Sequence, residues 1–307
     1  MSSTPNAPLI LETTDTADSP VFADFFAGYE KAFVLPEEME DEDGFRACLD
    51  LNHGAARQAL EARYGLFREI CLTARDPDDG GLVGGANLIA MPNGALNGVP
   101  VITANLNYVY VDGAQRGKGR FRALVHAISD HVAGMFPQAL PEGTGARPLV
   151  FIEQNDPIAM DDDAYERDTR FTGMDQFDRL RVWSRAGALM VDMDYVQPPL
   201  SPDHPPVDTL ILSVLGAGEA RALPARLVRD HLARFFGISV LKGQPLERNE
   251  TAARQLAELD ALAWKDGAVR LIDLGPVLAS PERPEAIRSR VGAGDGIGRR
   301  FRGTLTA

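Results

Sequence analysis

The chain has little cysteine, little histidine and a deficit of positive charge. Two cysteines occur in 307 residues, Cys48 and Cys71, both in apolar-patterned segments. That excludes a disulfide framework and leaves no cysteine pair for a metal, so buried thiols are the expectation. The five histidines are His53, His126, His131, His204 and His231. Only His126 and His131 lie near one another, and a separation of five residues puts them off a shared helical face. No metal is expected. Lys and Arg number 31 against 44 Asp and Glu, a formal net charge of −13. Binding to a phosphate backbone needs a basic face, so nucleic acid is not an expected partner. An acidic surface is compatible with steering a cationic amine; the plainer reading is that it keeps the protein soluble. No apolar run approaches the length of a membrane span, and the first residues lack a charged-then-apolar leader. The expectation is a cytoplasmic protein with no membrane partner.

What is present is a globular composition. Hydrophobic residues make up 45%, and the length allows one domain with an appendage or two small domains. Residues 1–8 are polar and expected to fray. Residues 9–13 read as a strand. Ser19 and Pro20 supply cap and first-turn chemistry for a helix over 21–32, with Phe22, Phe25, Phe26, Tyr29 and Phe33 on one face. The acidic run 37–43 reads as a solvated loop. One helix is predicted from Gly44 to Tyr64. Strands follow at 69–74 and 82–91, joined by a turn-forming stretch at 76–81. Asn93-Gly94 marks a further turn before a central strand over 101–111.

A helix from Phe121 carries Leu124, Val125, Ile128, Val132 and Met135 at helical spacing. Residues 161–186 read as one or two charge-rich helices, with Gly173 as a break. Strands are predicted at 188–196 and 209–215, and a helix at 225–236. From Gly243 the character changes. A helix over 249–264 capped by Asn249 and a short strand at 269–274 precede a weakly ordered, mildly basic tail over 280–307. Gly292 to Gly298 looks superficially like a nucleotide loop, but no apolar strand precedes it. Alternating strands and helices argue for a mixed α/β sheet.

The segment from Asn105 to Leu124 reads as strand, glycine-rich basic turn and helix start. Such a turn offers backbone N–H groups to an anion at a helix N-terminus. Gly117 and Gly119 allow close approach of a phosphate, and Arg116, Lys118, Arg120 and Arg122 surround it with positive charge. It also reads as a solvated basic turn. It is no Walker loop, because Gly-Lys is followed by Gly119 and no hydroxyl is placed for a metal. It is no dinucleotide fingerprint either, because Arg122 stands where that pattern requires Gly.

Arg116-Gly117-Lys118-Gly119 resembles the acetyl-CoA loop of the GNAT acyltransferases, Arg/Gln-x-x-Gly-x-Gly/Ala, which lies between that family's fourth strand and third helix. Phe121 departs from the final Gly/Ala. Two later landmarks fit in order. Residues 148–157, with Glu153 and Asn155, resemble the fifth strand, and Trp183 to Gly187 resembles the aromatic-x-x-x-Gly turn before the sixth.

The resemblance implies a mixed, mostly antiparallel central sheet flanked by helices. It places a GNAT-like acyl-CoA-binding domain at 1–242 and a C-terminal helical extension at 243–307. It implies an N-acyltransferase using acetyl-CoA or another acyl-CoA, with a primary amine of a small molecule or peptide as acceptor. The alternative is a non-catalytic acyl-CoA-binding or sensor protein with a degenerate site. Tyr108, Val109 and Val111 would meet the pantetheine arm and the thioester oxygen. Arg116, Gly117, Lys118, Gly119, Arg120 and Phe121 would hold the pyrophosphate, and Asn155 would contact the arm. Glu153 is the candidate general base, with Asp112, Asp192 and Asp194 behind it. Trp183 stands where many relatives carry an acid Tyr, and an indole N–H is no practical acid. Tyr195 is the candidate substitute. Residues 161–185 read either as an acceptor lid or as a solvated helix. The extension would complete the domain, cover the cleft or pair with a second subunit as a homodimer.

Overall fold

The structure, a computed structural model, describes residues 8–33, 39–199 and 205–279. The expectations for residues 1–7, Glu37, Glu38, His204 and the tail over 280–307 lie outside the described residues. Strand β1 (Ile10–Thr14) leads into helix α1 (Pro20–Ala32), where Ser19 Oγ accepts from the Phe22 N–H at 3.1 Å and Pro20 opens the first turn. The single helix expected over 44–64 is two, α2 (Glu42–Asp50) and α3 (Gly54–Tyr64). Asn52 breaks it by turning its Nδ2 onto the carbonyls of Leu49 and Glu69 at 2.9 and 2.8 Å, a local alternative to the helix ladder. Part of the acidic run is helical rather than loop. Asp41 caps α2 by accepting from Gly44 N–H at 2.7 Å, with Glu42 and Asp43 in the first turn, where the helix dipole favours negative charge.

Strands β2 (Arg68–Arg75), β3 (Leu82–Leu96) and β4 (Val99–Val111) form a meander. The turn expected at Asn93-Gly94 is only an irregularity in register. The hairpin closes four residues later at Asn97-Gly98, where both φ angles are positive (52° and 77°), the twist that two-residue hairpins require. Helix α4 (Arg120–Gly134), β5 (Arg147–Asn155), α5 (Asp162–Thr172) and α6 (Gln176–Arg185) follow, the last two broken at Gly173 as expected. Then come β6 (Leu189–Val191), β7 (Leu210–Leu215), β8 (Ala222–Pro224) and α7 (Ala225–Phe235), which runs into a π-helical turn, Phe236–Val240. Helix α8 (Glu250–Ala263), capped by Asn249, strand β9 (Ala268–Ile272) and the short α9 (Gly275–Leu278) end the described chain.

The nine strands make one sheet in the order β1-β2-β3-β4-β5-β7-β6-β9-β8. Every pairing is antiparallel except β4 with β5. This is the mixed, mostly antiparallel sheet flanked by helices that the sequence led us to expect. Beyond residue 242, β9 hydrogen-bonds to both β6 and β8, and α8 packs against α7. Helix α4 covers one face through Leu124, Val125, Ile128 and Val132. Helices α7 and α8 cover the other through Leu227, Val228, Leu232, Leu256 and Leu259. The aromatic face of α1 packs on Phe45, Tyr108 and Tyr110.

Candidate active site

Strands β4 and β5 pair only from Val101–Arg147 to Asn105–Phe151. Both continue past that point, β4 to Val111 alongside β3 and β5 to Asn155 alongside β7. The parallel pair therefore separates in the middle of the sheet. Just beyond the separation, the β3–β4 ladder skips Asn107, pairing Leu88 with Leu106 but Asn87 with Tyr108. A bulge of one residue reverses which residues face which side. Ile102, Ala104 and Leu106 pack under α4, whereas beyond the bulge Val109 and Val111 do so and Tyr108 and Tyr110 meet α1. The bulge thus brings Asn105, Asn107 and Tyr108 onto one face at the opening.

At the far end of β4, Asp112 folds back on the loop, its Oδ1 accepting from Ala114 N–H at 2.9 Å. That bond caps the short turn that follows β4. Gly119 is the N-cap of α4 at φ 73°, and no side chain caps this helix. The first-turn amides thus face the basic turn with helix-dipole support for an anion. Arg116 and Lys118 are exposed, resting on Val111 O and Gln115 Oε1 at 3.4 and 3.3 Å. The Arg120 guanidinium is instead paired with Asp76 in the β2–β3 turn, so its side chain ties down the helix start. Phe121 lies edge-on to Trp183, ring centroids 4.8 Å apart, in the layer beneath α4. Both rings pack into that layer. Gly119→Val should abolish acetyl-CoA binding, because a β-branched residue resists positive φ by about 1–2 kcal/mol and would reshape the cap. Unchanged affinity in a thermal-shift titration would remove the loop from the donor site.

Glu153 lies on β5, two residues past its last pairing with β4. The Tyr195 hydroxyl donates to Glu153 Oε1. Burial pushes the Glu153 carboxyl up to about 7, against the opposing hydrogen bonds from Tyr195 and Asn105. Burial first, then the Glu153 charge, holds the Tyr195 phenol well above its usual range. Near neutral pH the pair is a carboxylate ready to accept a proton beside a phenol that still holds one.

Tyr195 reaches this place because the strand expected over 188–196 stops at Val191. Asp192 N–H bonds Arg270 O at 2.9 Å, and its carboxylate takes the Arg270 guanidinium at 2.8 Å. Two tight turns follow, Met193 N–H to Val191 O and Tyr195 N–H to Met193 O, at 2.9 and 3.0 Å. Gln255 of α8 then stands in for a strand partner, exchanging bonds with Val196 at 3.0 and 2.7 Å. A straight β6 would run about 10 Å from β5, with β7 between; the coil brings the hydroxyl across that gap. Asn155 turns to α5, its Nδ2 donating to Asp168 at 3.2 Å.

Sequence reasoning missed three neighbours of this pair. Asn105 lies beside Glu153 on the same face, its Nδ2 donates to Asn107, and His231 of α7 reaches Asn105. It also missed a second buried carboxyl, Glu69 of β2, pushed up to about 7 by burial against bonds from Ser239, Asn87 and Asn107. The available signal was Asn105 and Asn107 alternating inside a strand otherwise built for a core.

No family model matches the chain, and no curated protein does. Among solved structures it is similar to a putative GNAT-family acetyltransferase from Bacteroides thetaiotaomicron, with 15% identity, 77% of this chain and 99% of that chain covered, and a TM-score of 0.44. It is also similar to a protein described as a histone acetyltransferase and related acetyltransferase from Corynebacterium glutamicum, with 15% identity, 68% and 96% coverage and a TM-score of 0.34. A GNAT family N-acetyltransferase from Escherichia coli, solved in complex with CoA, has 17% identity, 69% and 84% coverage and a TM-score of 0.27.

Proposed function

We propose that this protein is an N-acyltransferase of the GNAT type, moving an acetyl or other acyl group from acyl-CoA to a primary amine of a small molecule or peptide. The observation that carries this reading is the Glu153–Tyr195 pair at the point where β4 and β5 separate. From there to the uncapped start of α4, β4 runs six further residues, Leu106 to Val111, about 20 Å of extended backbone. An extended arm carrying amides can lie along such a strand, with its diphosphate at the helix N-terminus and its thioester beside Asn105. Arg116, Lys118 and the α4 amides supply the anion contacts.

Glu153 then takes a proton from the acceptor nitrogen as the C–N bond forms. The C–S bond breaks, Tyr195 gives its proton to sulfur, and Glu153 returns one to Tyr195. An acceptor that arrives as the ammonium first releases one proton to solvent; the remaining proton leaving the neutral nitrogen ends on the thiol, so the step balances. Trp183, buried against Phe121, takes no part. A net charge of −13 favours cationic acceptors over anionic ones.

Acetyl-CoA at a hundredfold excess over Kd should stabilise the fold by ~2.7 kcal/mol, seen as a raised Tm. Thiol release should follow with at least one member of a panel of amines, amino acids and aminosugars. The absence of a Tm shift with any acyl-CoA overturns the reading. A shift without release from the whole panel favours a binding or sensing protein instead.

A further inference from the structure

A strip of polar side chains crosses the sheet from β2 to β5 on the α7 face. At one end the Glu69 carboxyl accepts from Ser239 Oγ at 2.8 Å, Asn107 Nδ2 at 3.2 Å and Asn87 Nδ2 at 3.4 Å. Asn107 Nδ2 also donates to Asn87 Oδ1 at 2.8 Å. Asn107 Oδ1 accepts from Asn105 Nδ2 at 3.0 Å, and Asn105 Oδ1 faces His231 Nε2 at 3.3 Å. Asn105 pairs with Phe151 of β5, so its amide neighbours the Glu153 side chain two residues further along on the same face.

Donor and acceptor roles propagate along this strip in one direction. Once ionised, above about pH 7, the Glu69 carboxyl only accepts, so Asn107 turns its NH₂ towards Glu69 and its carbonyl towards Asn105. Asn105 must then turn its NH₂ to Asn107 and Glu153, leaving its carbonyl for His231. His231 must therefore carry its proton on Nε2. Its surroundings suit a neutral ring: it is fully buried and stacked on Phe151 at 3.9 Å. Burial, and then the Arg234 charge, pushes it down to about 3. His231 Nδ1 is buried without a hydrogen-bond partner among the described residues. A side chain present only for packing would not need to desolvate that nitrogen. The backbone supports both ends of the strip together. Residues eight apart on an α-helix lie about 80° out of phase. The π turn Phe236–Val240 widens the helix there, and His231 and Ser239 both face the strip.

We propose that His231 and Asn107 are positioning residues for the transfer reaction: together they lock the Asn105 amide so that its NH₂, not its carbonyl, is presented to Glu153. This rests on Glu153 being the base. The titratable groups that meet Glu153 are Tyr195 after β6 and Tyr108 of β4, with Tyr29 and Glu40 behind Tyr108; Glu69 of β2 lies at the far end of the strip, and Arg234 of α7 acts on His231. His231 stays neutral throughout the working range, so it acts by its N–H bond and not by its charge.

The test reads the ionisation midpoint of Glu153 directly, by infrared titration of protein carrying ¹³C-carboxyl glutamate, with the band assigned by its loss in Glu153→Gln. The acid limb of kcat/KM is read alongside. His231→Phe keeps the ring stack and loses the N–H; Asn107→Ala removes the acceptor at the other end of Asn105. In both, the midpoint and the acid limb should move up together by about one pH unit. His231→Gln, which restores an N–H donor, should return them, and acetyl-CoA affinity should stay as in the wild type. A midpoint unmoved in both variants overturns the proposal. The infrared reading needs no turnover, so a protein without transferase activity would sink the functional reading and still decide this one.

Discussion

Glu153→Gln will lower amine transfer at pH 7 by about 10²- to 10⁴-fold, the usual contribution of a positioned general base. The change keeps the shape of the side chain and an oxygen for the Tyr195 hydroxyl, and removes only the ability to accept a proton. Acetyl-CoA affinity should therefore be unchanged, since the loop that would hold the diphosphate lies at the other end of β4. In the wild type, kcat/KM should rise with pH and bend near pH 7, because the carboxyl titrates at about 7 and only its ionised form is a base. Stability should run the other way. Glu153 and Glu69 both hold their protons up to about 7 in the fold, against 4.5 for an ordinary glutamate. The folded chain therefore binds more protons than the unfolded one across that window, and stability falls as pH rises through it. Steady-state rates and chemical denaturation from pH 5 to 8 check both slopes. A Glu153→Gln enzyme with the wild-type rate would move the base elsewhere.

The local structure made from consecutive residues was legible. Strand, basic turn and helix from Val101 to Met135 follow from alternation, two glycines and a stripe at helical spacing, all local signals. The break at Gly173 and the cap at Asn249 are local too. What failed was decided at a distance. The helix expected over 44–64 breaks because Asn52 finds the carbonyl of Glu69, seventeen residues away. The strand expected over 188–196 stops because tight turns at Met193 and Tyr195 curl the chain away from β9 and Gln255 takes the Val196 backbone. Glu153 and Tyr195 were each readable as candidates, but their contact depends on that coil, and no periodicity encodes it. Arg120 shows the same limit. Its charge looked like part of an anion site, yet Asp76, forty-four residues earlier, takes the guanidinium. His231 sits among the apolar positions of α7, where the pattern alone reads it as core.

The seating of β7 on β5 depends on one close backbone approach, and disturbing it should have the largest effect on stability. Gly216 follows β7 at φ 84°, and a Cβ built there would lie 2.0 Å from the carbonyl oxygen of Pro148. That atom is backbone, so no rotamer change relieves the clash. Pro148 opens β5 beside β4, and β7 pairs with β5 from Val150–Leu215 to Asn155–Leu210. Gly216→Ala must therefore strain φ, at roughly 1–2 kcal/mol, and push β7 off β5, at roughly 1–3 kcal/mol. Together these remove about 2–5 kcal/mol from a total that is about 5–15 kcal/mol for a typical domain. Gly218→Ala separates the two contributions. Gly218 also has positive φ, 62°, but nothing lies within 4 Å of its added Cβ, so only the conformational part, roughly 1–2 kcal/mol, should be lost. Denaturant unfolding of the two variants measures the difference. Activity should fall further in Gly216→Ala than its stability accounts for, because Glu153 rides on the strand that moves. Equal losses of stability in the two variants would mean that β5 and β7 adapt to the extra atom.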